Sequence, residues 1–172
     1  MREDPTAPRQ TATADPDVPG SFTLDTSKSF DTSTAMTAVL WLLRVLTAAA
    51  LAVDAYIHAD LAPSYDFTHA SISQGMLFRV EAGAASLAAL LLIVVGRRPM
   101  AWVFAFLVAA AGIAAVLLYR YVDVGAFGPF PNMYEPLWYA EKTRSAIAEA
   151  AGTVTALVGL LLASRLHRRT RA

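Results

Sequence analysis

The sequence contains no cysteine, and only 16% of its 172 residues are charged. Without a thiol, the chain cannot form a disulfide, a thiolate nucleophile, an iron–sulfur cluster or a thiolate zinc site. It also lacks a nucleophile elbow, a phosphate-binding glycine loop and a His-Glu-x-x-His pair. The sequence therefore predicts a protein that is not an enzyme, with no catalytic residue, no metal site and no cofactor.

Hydrophobic residues make up 56% of the chain and are gathered in long runs. Each run has about twenty residues, which is the length that crosses a hydrocarbon core of about 30 Å. We therefore predict an all-α fold, a bundle of four transmembrane helices forming one domain at residues 36–166. The predicted spans are about 38–58, 76–96, 100–119 and 144–164.

The first 35 residues have a different composition, rich in Thr, Ser, Asp and Pro, with no helical or strand periodicity. Such a segment cannot bury enough apolar surface to fold, so residues 1–35 are predicted to be a disordered cytoplasmic tail. It does not have the charged start and short apolar core of a signal peptide. Met36 stands just before the first run, and a start codon there is the alternative to a translated tail.

Lysine and arginine are absent from the segment between the first two runs, residues 59–75. In contrast, Arg97 and Arg98 lie in the short connection between the second and third runs, and four arginines follow the last run. Short loops with basic residues stay on the cytoplasmic side of a membrane. We therefore predict a multi-pass protein of the cytoplasmic membrane, with cytoplasmic N- and C-termini, a basic tail at 167–172 and outward loops at 59–75 and 120–143.

The two halves of the chain resemble each other. Residues 56–61 and 119–124 have a similar pattern at the outer ends of the first and third runs, and Glu81 and Glu149 take matching positions in the second and fourth. This pattern predicts two parallel helix-hairpin repeats related by an axis along the membrane normal. A chance match between Ala- and Leu-rich helices is the alternative.

Three acidic residues lie inside the predicted spans: Asp54, Glu81 and Glu149, each about 6–8 Å below the outer end. Ionisable groups at such depth are costly unless they face the bundle interior and are paired. His58 follows Asp54 by four residues and so shares its helix face. With two arginines as counter-cations, the predicted outward-facing polar layer consists of Asp54, His58, Arg79, Glu81, Arg144 and Glu149.

Two interpretations of this polar layer stay open. In the structural one, ion pairs and hydrogen bonds between helices hold together an Ala- and Leu-rich bundle. In the functional one, the layer is a pocket for a proton, a cation or the head group of a small lipophilic molecule. Arg44, deeper in the first span, is interpreted as a snorkelling or interhelical arginine. The acids and histidines of the first outer loop match no metal-binding motif, so no metal is predicted there.

The connection before the last span is rich in proline and aromatic residues. Phe, Tyr and Trp rings settle at membrane interfaces because they are amphipathic. This segment is therefore predicted to be an aromatic anchor, with a partner-binding lid as the alternative. Its candidate interface residues are Tyr134, Glu135, Trp138, Tyr139, Glu141 and Lys142.

Two segments carry family resemblances. Residues 79–97, running from Arg-Val-Glu-Ala-Gly to Gly-Arg, resemble the second span and turn of the DoxX-like membrane proteins, which are linked to redox and stress functions through partner proteins. Unlike that group, the chain follows His58 with Ala59 and Asp60 rather than with Gly and Lys. Residues 121–143 are similar to the outer segment of a family of actinobacterial four-span integral membrane proteins that has no established activity. These resemblances imply a four-span fold and an accessory role.

The sequence thus predicts a non-catalytic accessory or interaction protein of the cytoplasmic membrane. Its expected partners are the lipid bilayer and either another membrane protein or a second copy of the chain, with no nucleic acid. The alternative is a binder or translocator of a proton, a cation or a small lipophilic molecule, with Asp54, Glu81 and Glu149 as its ligands.

Overall fold

A computed structural model of the chain describes residues 26–169. Within this range there is no β-strand, so the predicted all-α fold with four long helices is confirmed. A short 3-10 helix follows the first α-helix. The elements are α1 (Thr26–Leu61), the 3-10 helix (Ala62–Tyr65), α2 (Gln74–Val95), α3 (Pro99–Tyr121) and α4 (Ala140–Arg169).

The helix ends follow from local sequence signals. Ser73 caps the start of α2, where its hydroxyl accepts a hydrogen bond from the backbone N–H of Met76 at 3.0 Å. Pro99 occupies the first turn of α3, a position where its missing N–H costs nothing. Between these helices only residues 96–98 form the connection, so α2 and α3 reverse direction sharply.

The first helix begins earlier than the sequence indicated. Residues 26–35, assigned above to the disordered tail, belong to α1. This stretch contains neither proline nor glycine, so nothing in it interrupts a helical backbone that continues from the apolar span. The rest of the predicted tail, residues 1–25, lies outside the described residues. At the other end of the chain, α4 starts at Ala140, four residues before the predicted span at 144–164.

The four α-helices are long and apolar enough to cross a membrane. Their outward faces expose large aliphatic side chains, as a lipid-facing surface requires. Strongly exposed examples from the four helices are Leu42, Val94, Leu107 and Val154. The described part of the chain therefore has the construction of a multi-pass integral membrane protein.

Helix α1 packs against both α2 and α4, and α3 packs against α4, while the contact between α2 and α3 is less extensive. Contacts such as Thr47 with Thr155 and Asp54 with Ser145 show that α1 and α4 run antiparallel. The described chain thus starts and ends on the same side of the bundle. We call the end with the turn at residues 96–98 the inner end and the opposite one the outer end. Two helix hairpins are present, but their predicted relation as repeats stays a prediction.

At the inner end, the bundle is closed around Trp102, which is fully buried. The indole fits because Gly159 on α4 faces it, where any side chain carbon would collide with the ring. The indole N–H donates a hydrogen bond to the carbonyl of Gly96 at 2.8 Å. Gly159 thus makes room for the ring, and the indole N–H keeps a hydrogen-bond partner although it is buried.

Arg44 is an interhelical arginine at this end, with only 6% of its surface exposed. Its Nε donates to the carbonyl of Leu92 at 3.0 Å and its Nη2 to that of Ile93 at 2.7 Å. The last carbonyls of a helix have no partner within the helix. Arg44 of α1 therefore bonds the end of α2.

The two outer loops are joined to each other above the bundle. The N–H of Ile72 in the first loop donates to the carbonyl of Pro129 in the second loop at 3.0 Å. The second loop is also bonded to α3, because the N–H of Glu135 donates to the carbonyl of Tyr119 at 3.0 Å. Gly125 and Gly128 adopt φ values of 67° and 56°, the left-handed region that glycine enters without strain. The second loop is thereby folded back over the helix ends.

Candidate functional site

Two buried carboxyl groups meet in the outer half of the bundle, one from α1 and one from α4. Asp54 and Glu149 each have 1% of their surface exposed. The Ser145 hydroxyl lies 2.8 Å from Asp54 Oδ1, to which it donates, and 3.3 Å from Glu149 Oε1. A hydroxyl has a single proton, so it serves only one of the two carboxyl groups at a time. The two acids therefore face each other across one serine.

His58 completes this group, one helical turn after Asp54. Its Nδ1 lies 3.0 Å from Asp54 Oδ1 and 3.1 Å from the Asp54 carbonyl oxygen. The imidazole packs edge-on against Phe78 with ring centroids 5.1 Å apart. One ligand-type atom from each of Asp54, His58 and Glu149 lies within 4.8 Å of the other two. We call Asp54, His58, Ser145 and Glu149 the acid cluster.

A glycine on α3 makes room for the cluster. A methyl carbon placed on Gly112 would lie 2.5 Å from Glu149 Oε1 and 2.8 Å from its Cδ. These distances are shorter than van der Waals contact, so any larger residue would displace the carboxyl group. The sequence alone shows Gly112 only as one of several small residues in the spans.

The cluster and its neighbour Glu81 contain oxygen atoms that have no hydrogen-bond partner. Among the described residues, these buried unpartnered atoms include Asp54 Oδ2, Glu81 Oε1 and Glu149 Oε2. Most buried polar atoms in proteins are bonded, and isolated buried charge is strongly unfavourable. Three such oxygens in one region thus indicate a place that accepts a proton, a cation or a donor group.

Next to the cluster lies a cavity of about 400 Å³, bounded by the outer halves of the helices and by the second outer loop. Apolar and aromatic side chains form most of its wall, including Leu77, Phe78 and Val116. A cavity of this size and character suits a small molecule with an apolar body. Its polar lining residues are His58, Gln74, Glu81, Glu135, Lys142 and Ser145.

The rim of the cavity is fastened by polar contacts. The hydroxyls of Tyr65 and Tyr139 are 2.8 Å apart and connect the 3-10 helix to the segment before α4. Burial, and then this hydrogen bond, raise the pKa of Tyr139, so its hydroxyl stays neutral. The Lys142 ammonium donates to the carbonyl of Glu135. These contacts hold the second loop in place above the cavity.

The two arginines predicted as counter-cations do not reach the cluster. Arg79 is exposed and forms a double hydrogen bond with Asp66, at 2.6 and 2.8 Å, which holds the pKa of Asp66 below its usual range. Arg144 is also exposed. The reason is helix rotation: at about 100° per residue, Arg79 lies about 200° around α2 from Glu81, and Arg144 lies about 140° around α4 from Glu149.

The predicted interface residues differ in burial. Tyr134 and Trp138 are exposed, whereas Glu135, Tyr139 and Glu141 are partly buried. Lys142 is buried, and its ammonium lies 5.8 Å from the centre of the Trp138 ring. The outer segment therefore supplies both surface aromatics and lining for the cavity.

Several residues of the site are not members of the predicted polar layer. Ser145 precedes Glu149 by one helical turn, and that spacing is the signal that identifies it. Tyr65, Gln74 and Phe78 contribute to the cavity from other elements, and no motif in the sequence marks them.

No family model, curated protein or solved structure matches the chain. The resemblances to the actinobacterial family and to the DoxX-like proteins therefore stay predictions.

Proposed function

We propose that this protein binds a small amphiphilic molecule at the outer side of the cytoplasmic membrane. The ligand has an apolar body and a cationic or hydrogen-donating head. One observation carries this proposal: Glu81 lines a largely apolar cavity and its Oε1 is buried without a partner. A donor head group satisfies this oxygen, while the apolar wall accepts the rest of the molecule.

The charge around the cavity favours a cation over an anion. Glu81 of the lining and the two acids of the adjoining acid cluster outnumber the basic residues of the lining, which are His58 and Lys142. The Lys142 ammonium is already bonded to a carbonyl of the outer loop. An acidic surplus at the floor of an apolar cavity attracts positive charge and repels carboxylates.

The proposed location follows from the basic residues at the inner end. Arg97 and Arg98 lie in the turn between α2 and α3, and Arg165 and Arg168 lie near the end of α4. Placing this end in the cytoplasm satisfies the bias of basic residues toward that side and puts both termini there. The cavity then faces outward.

Thermal unfolding of the detergent-purified protein with three matched probes tests this proposal. The probes are 4-phenylbutylamine, 4-phenylbutanol and 4-phenylbutyrate, which share one apolar body and differ in the head group. At saturating concentration we expect the amine to raise the midpoint by about 5 °C, the alcohol less and the acid not at all. Stabilisation by the acid equal to that by the amine would contradict the proposal.

The variant Glu81→Gln is expected to remove the advantage of the amine over the alcohol, because the carboxylate that receives the ammonium is gone. Glu141→Gln is the matched control, since Glu141 lies on α4 and is not part of the cavity lining. If Glu81→Gln retains the full amine effect, the proposed head-group site is wrong.

A second candidate function is the accessory role expected from the sequence. It is favoured by exposed apolar side chains on the outer loops: Phe67 is 89% exposed, Phe127 76% and Leu137 69%. These side chains suit either the bilayer interface or another protein. The proposed protein partner is a membrane protein or a second copy of the chain, not a nucleic acid.

Mass spectrometry of the complex extracted gently from its own membrane tests this second role. A stoichiometric protein partner that is lost when Phe67 and Phe127 are both changed to Ser would support it. Retention of a small molecule by a monomer would instead favour the cavity function.

A further inference from the structure

We propose that Asp54, His58 and Glu149 together hold one divalent metal ion of the zinc class. One imidazole and two carboxylates form a ligand set typical of zinc and other borderline first-row ions. Only three protein ligands are present and one is nitrogen, which disfavours Ca²⁺, a cation that takes about 6–8 oxygen ligands. Mg²⁺ is disfavoured for a similar reason, because it demands an octahedral shell of oxygen.

The positions of the ligand atoms permit a shared ion. The three atoms lie within 4.8 Å of one another. Ligands of a tetrahedral ion at about 2.1 Å are roughly 3.4 Å apart, so the ligand atoms need to close by up to about 1.4 Å. Small side-chain rotations supply such a shift. An ion here would connect α1 with α4, because two ligands come from the first helix and one from the last.

An independent observation supports a cation at this point. Asp54 Oδ2 and Glu149 Oε2 have no hydrogen-bond partner, and both side chains are almost fully buried. The other oxygen of each carboxyl group touches Ser145, so both groups point into the acid cluster. One divalent ion would balance the charge of the two carboxylates, and the imidazole would bind it in the neutral form.

An ion at this point would lie beside the cavity, because His58 and Ser145 are both cavity-lining residues. The perpendicular contact with Phe78 holds the His58 ring in place, as the surroundings of metal sites commonly do. This inference does not depend on the proposed amphiphile, whose head group is assigned to Glu81 rather than to the three metal ligands.

Zinc binding by the full chain tests the inference directly. The protein is purified in detergent without a histidine tag, treated with a chelator and titrated with Zn²⁺ by calorimetry, with elemental analysis for stoichiometry. We expect one Zn²⁺ per chain and no binding of Mg²⁺ or Ca²⁺ at the same concentration. X-ray absorption of the zinc complex should show nitrogen and oxygen ligands including one imidazole. Absence of stoichiometric zinc in the wild-type protein would overturn the proposal, whatever the variants do.

Single substitutions then locate the ion. Asp54→Asn, His58→Gln and Glu149→Gln are each expected to weaken Zn²⁺ binding by at least about tenfold. Matched controls are His69→Gln, an exposed histidine of the outer loop, and Glu141→Gln, which should keep wild-type affinity. Equal loss in the controls, or full affinity in the three cluster variants, would place the ion elsewhere. Glu81→Gln separates the two proposals, since it should lose the amine effect and retain zinc.

Discussion

The inner and outer halves of the bundle differ in how completely their buried polar groups are hydrogen-bonded. In the inner half, the side chains of Arg44, Thr47 and Trp102 each form hydrogen bonds to a neighbouring helix or to the turn. In the outer half, Asp54 and Glu149 each leave one oxygen without a partner, beside a cavity of about 400 Å³. Fully bonded polar groups specify one packing, whereas unbonded ones destabilise it.

A cavity also exists at the inner end, with a volume of about 330 Å³ and Arg44 in its wall. There, however, the guanidinium already bonds two carbonyls of α2. Space alone therefore does not indicate a site. The outer cavity lies beside acids whose oxygens have no hydrogen-bond partner, whereas the inner cavity is lined by a cation that joins two helices.

The largest effect is expected from Trp102→Ala, which empties the packed inner end. The loss of a fully buried tryptophan should lower the free energy of unfolding by about 3–5 kcal/mol. The measurement is equilibrium unfolding in mixed detergent micelles. Met100→Ala, an exposed residue of the same helix, is the control and should change the stability by less than about 0.5 kcal/mol. A small effect of Trp102→Ala would mean that the packing around Trp102 does not stabilise the inner end of the bundle.

Arg44→Met should have the next largest effect. It retains much of the side-chain volume and removes both hydrogen bonds to α2, with an expected loss of about 2 kcal/mol. Binding of the amine probe in the outer cavity should not change, because Arg44 lies in the opposite half. Arg97→Met, at an exposed residue of the turn, serves as the control. Loss of probe binding in Arg44→Met would show that the two halves are coupled.

Glu149→Gln should change stability in the opposite direction when no metal ion is present. An amide cannot ionise and keeps the shape of the side chain, so the variant avoids the cost of a charge at this buried position, and a gain of about 1 kcal/mol is expected in chelator. Added Zn²⁺ should stabilise the wild-type protein and leave the variant unchanged. A loss of stability in chelator would instead show that the Glu149 carboxyl group stabilises the fold, as the hydrogen-bonded polar side chains of the inner half do.

The smallest effect is expected at the exposed pair formed by Asp66 and Arg79. The guanidinium lowers the pKa of Asp66 in the folded protein. Stability from the pair is therefore fully present above the ordinary aspartate pKa of about 4 and is lost as the pH falls through the folded value. The melting temperature of Asp66→Asn should be slightly below that of the wild type at pH 6 and should converge with it in acid. Asp60→Asn, another exposed outer acid, should show no such convergence.

Much of the fold could be predicted because it depends on length and apolar composition. Four runs as long as a bilayer is thick leave few alternatives to a helical bundle. The acids of the site were also predictable, since Asp54 and Glu149 are exceptional in apolar spans. In contrast, the predicted roles of Arg79 and Arg144 were wrong, because the direction of each side chain depends on how its helix is rotated in the bundle. A basic residue near the right depth indicates nothing about the direction in which it points.

The remaining parts of the site depend on contacts between distant segments. Gly112 matters because Glu149 of another helix fills the space beside it. The cavity requires the second outer loop to fold back over the helix ends, which the bond between Glu135 and Tyr119 achieves. Neither fact has a local signature in the sequence, because each arises only when the helices are assembled.

The separation of Asp54 and Ser145 along the chain, 91 residues, has a consequence for biosynthesis. During translation, α1 and α2 can dock first through Arg44, because both are complete long before α4 has been made. Throughout that interval, Asp54 lies in the nascent hairpin without the serine that later bonds it. The acid cluster therefore stays incomplete until α4 is inserted, and a chain released before α4 would leave the Asp54 carboxyl group with His58 of its own helix but without its serine partner.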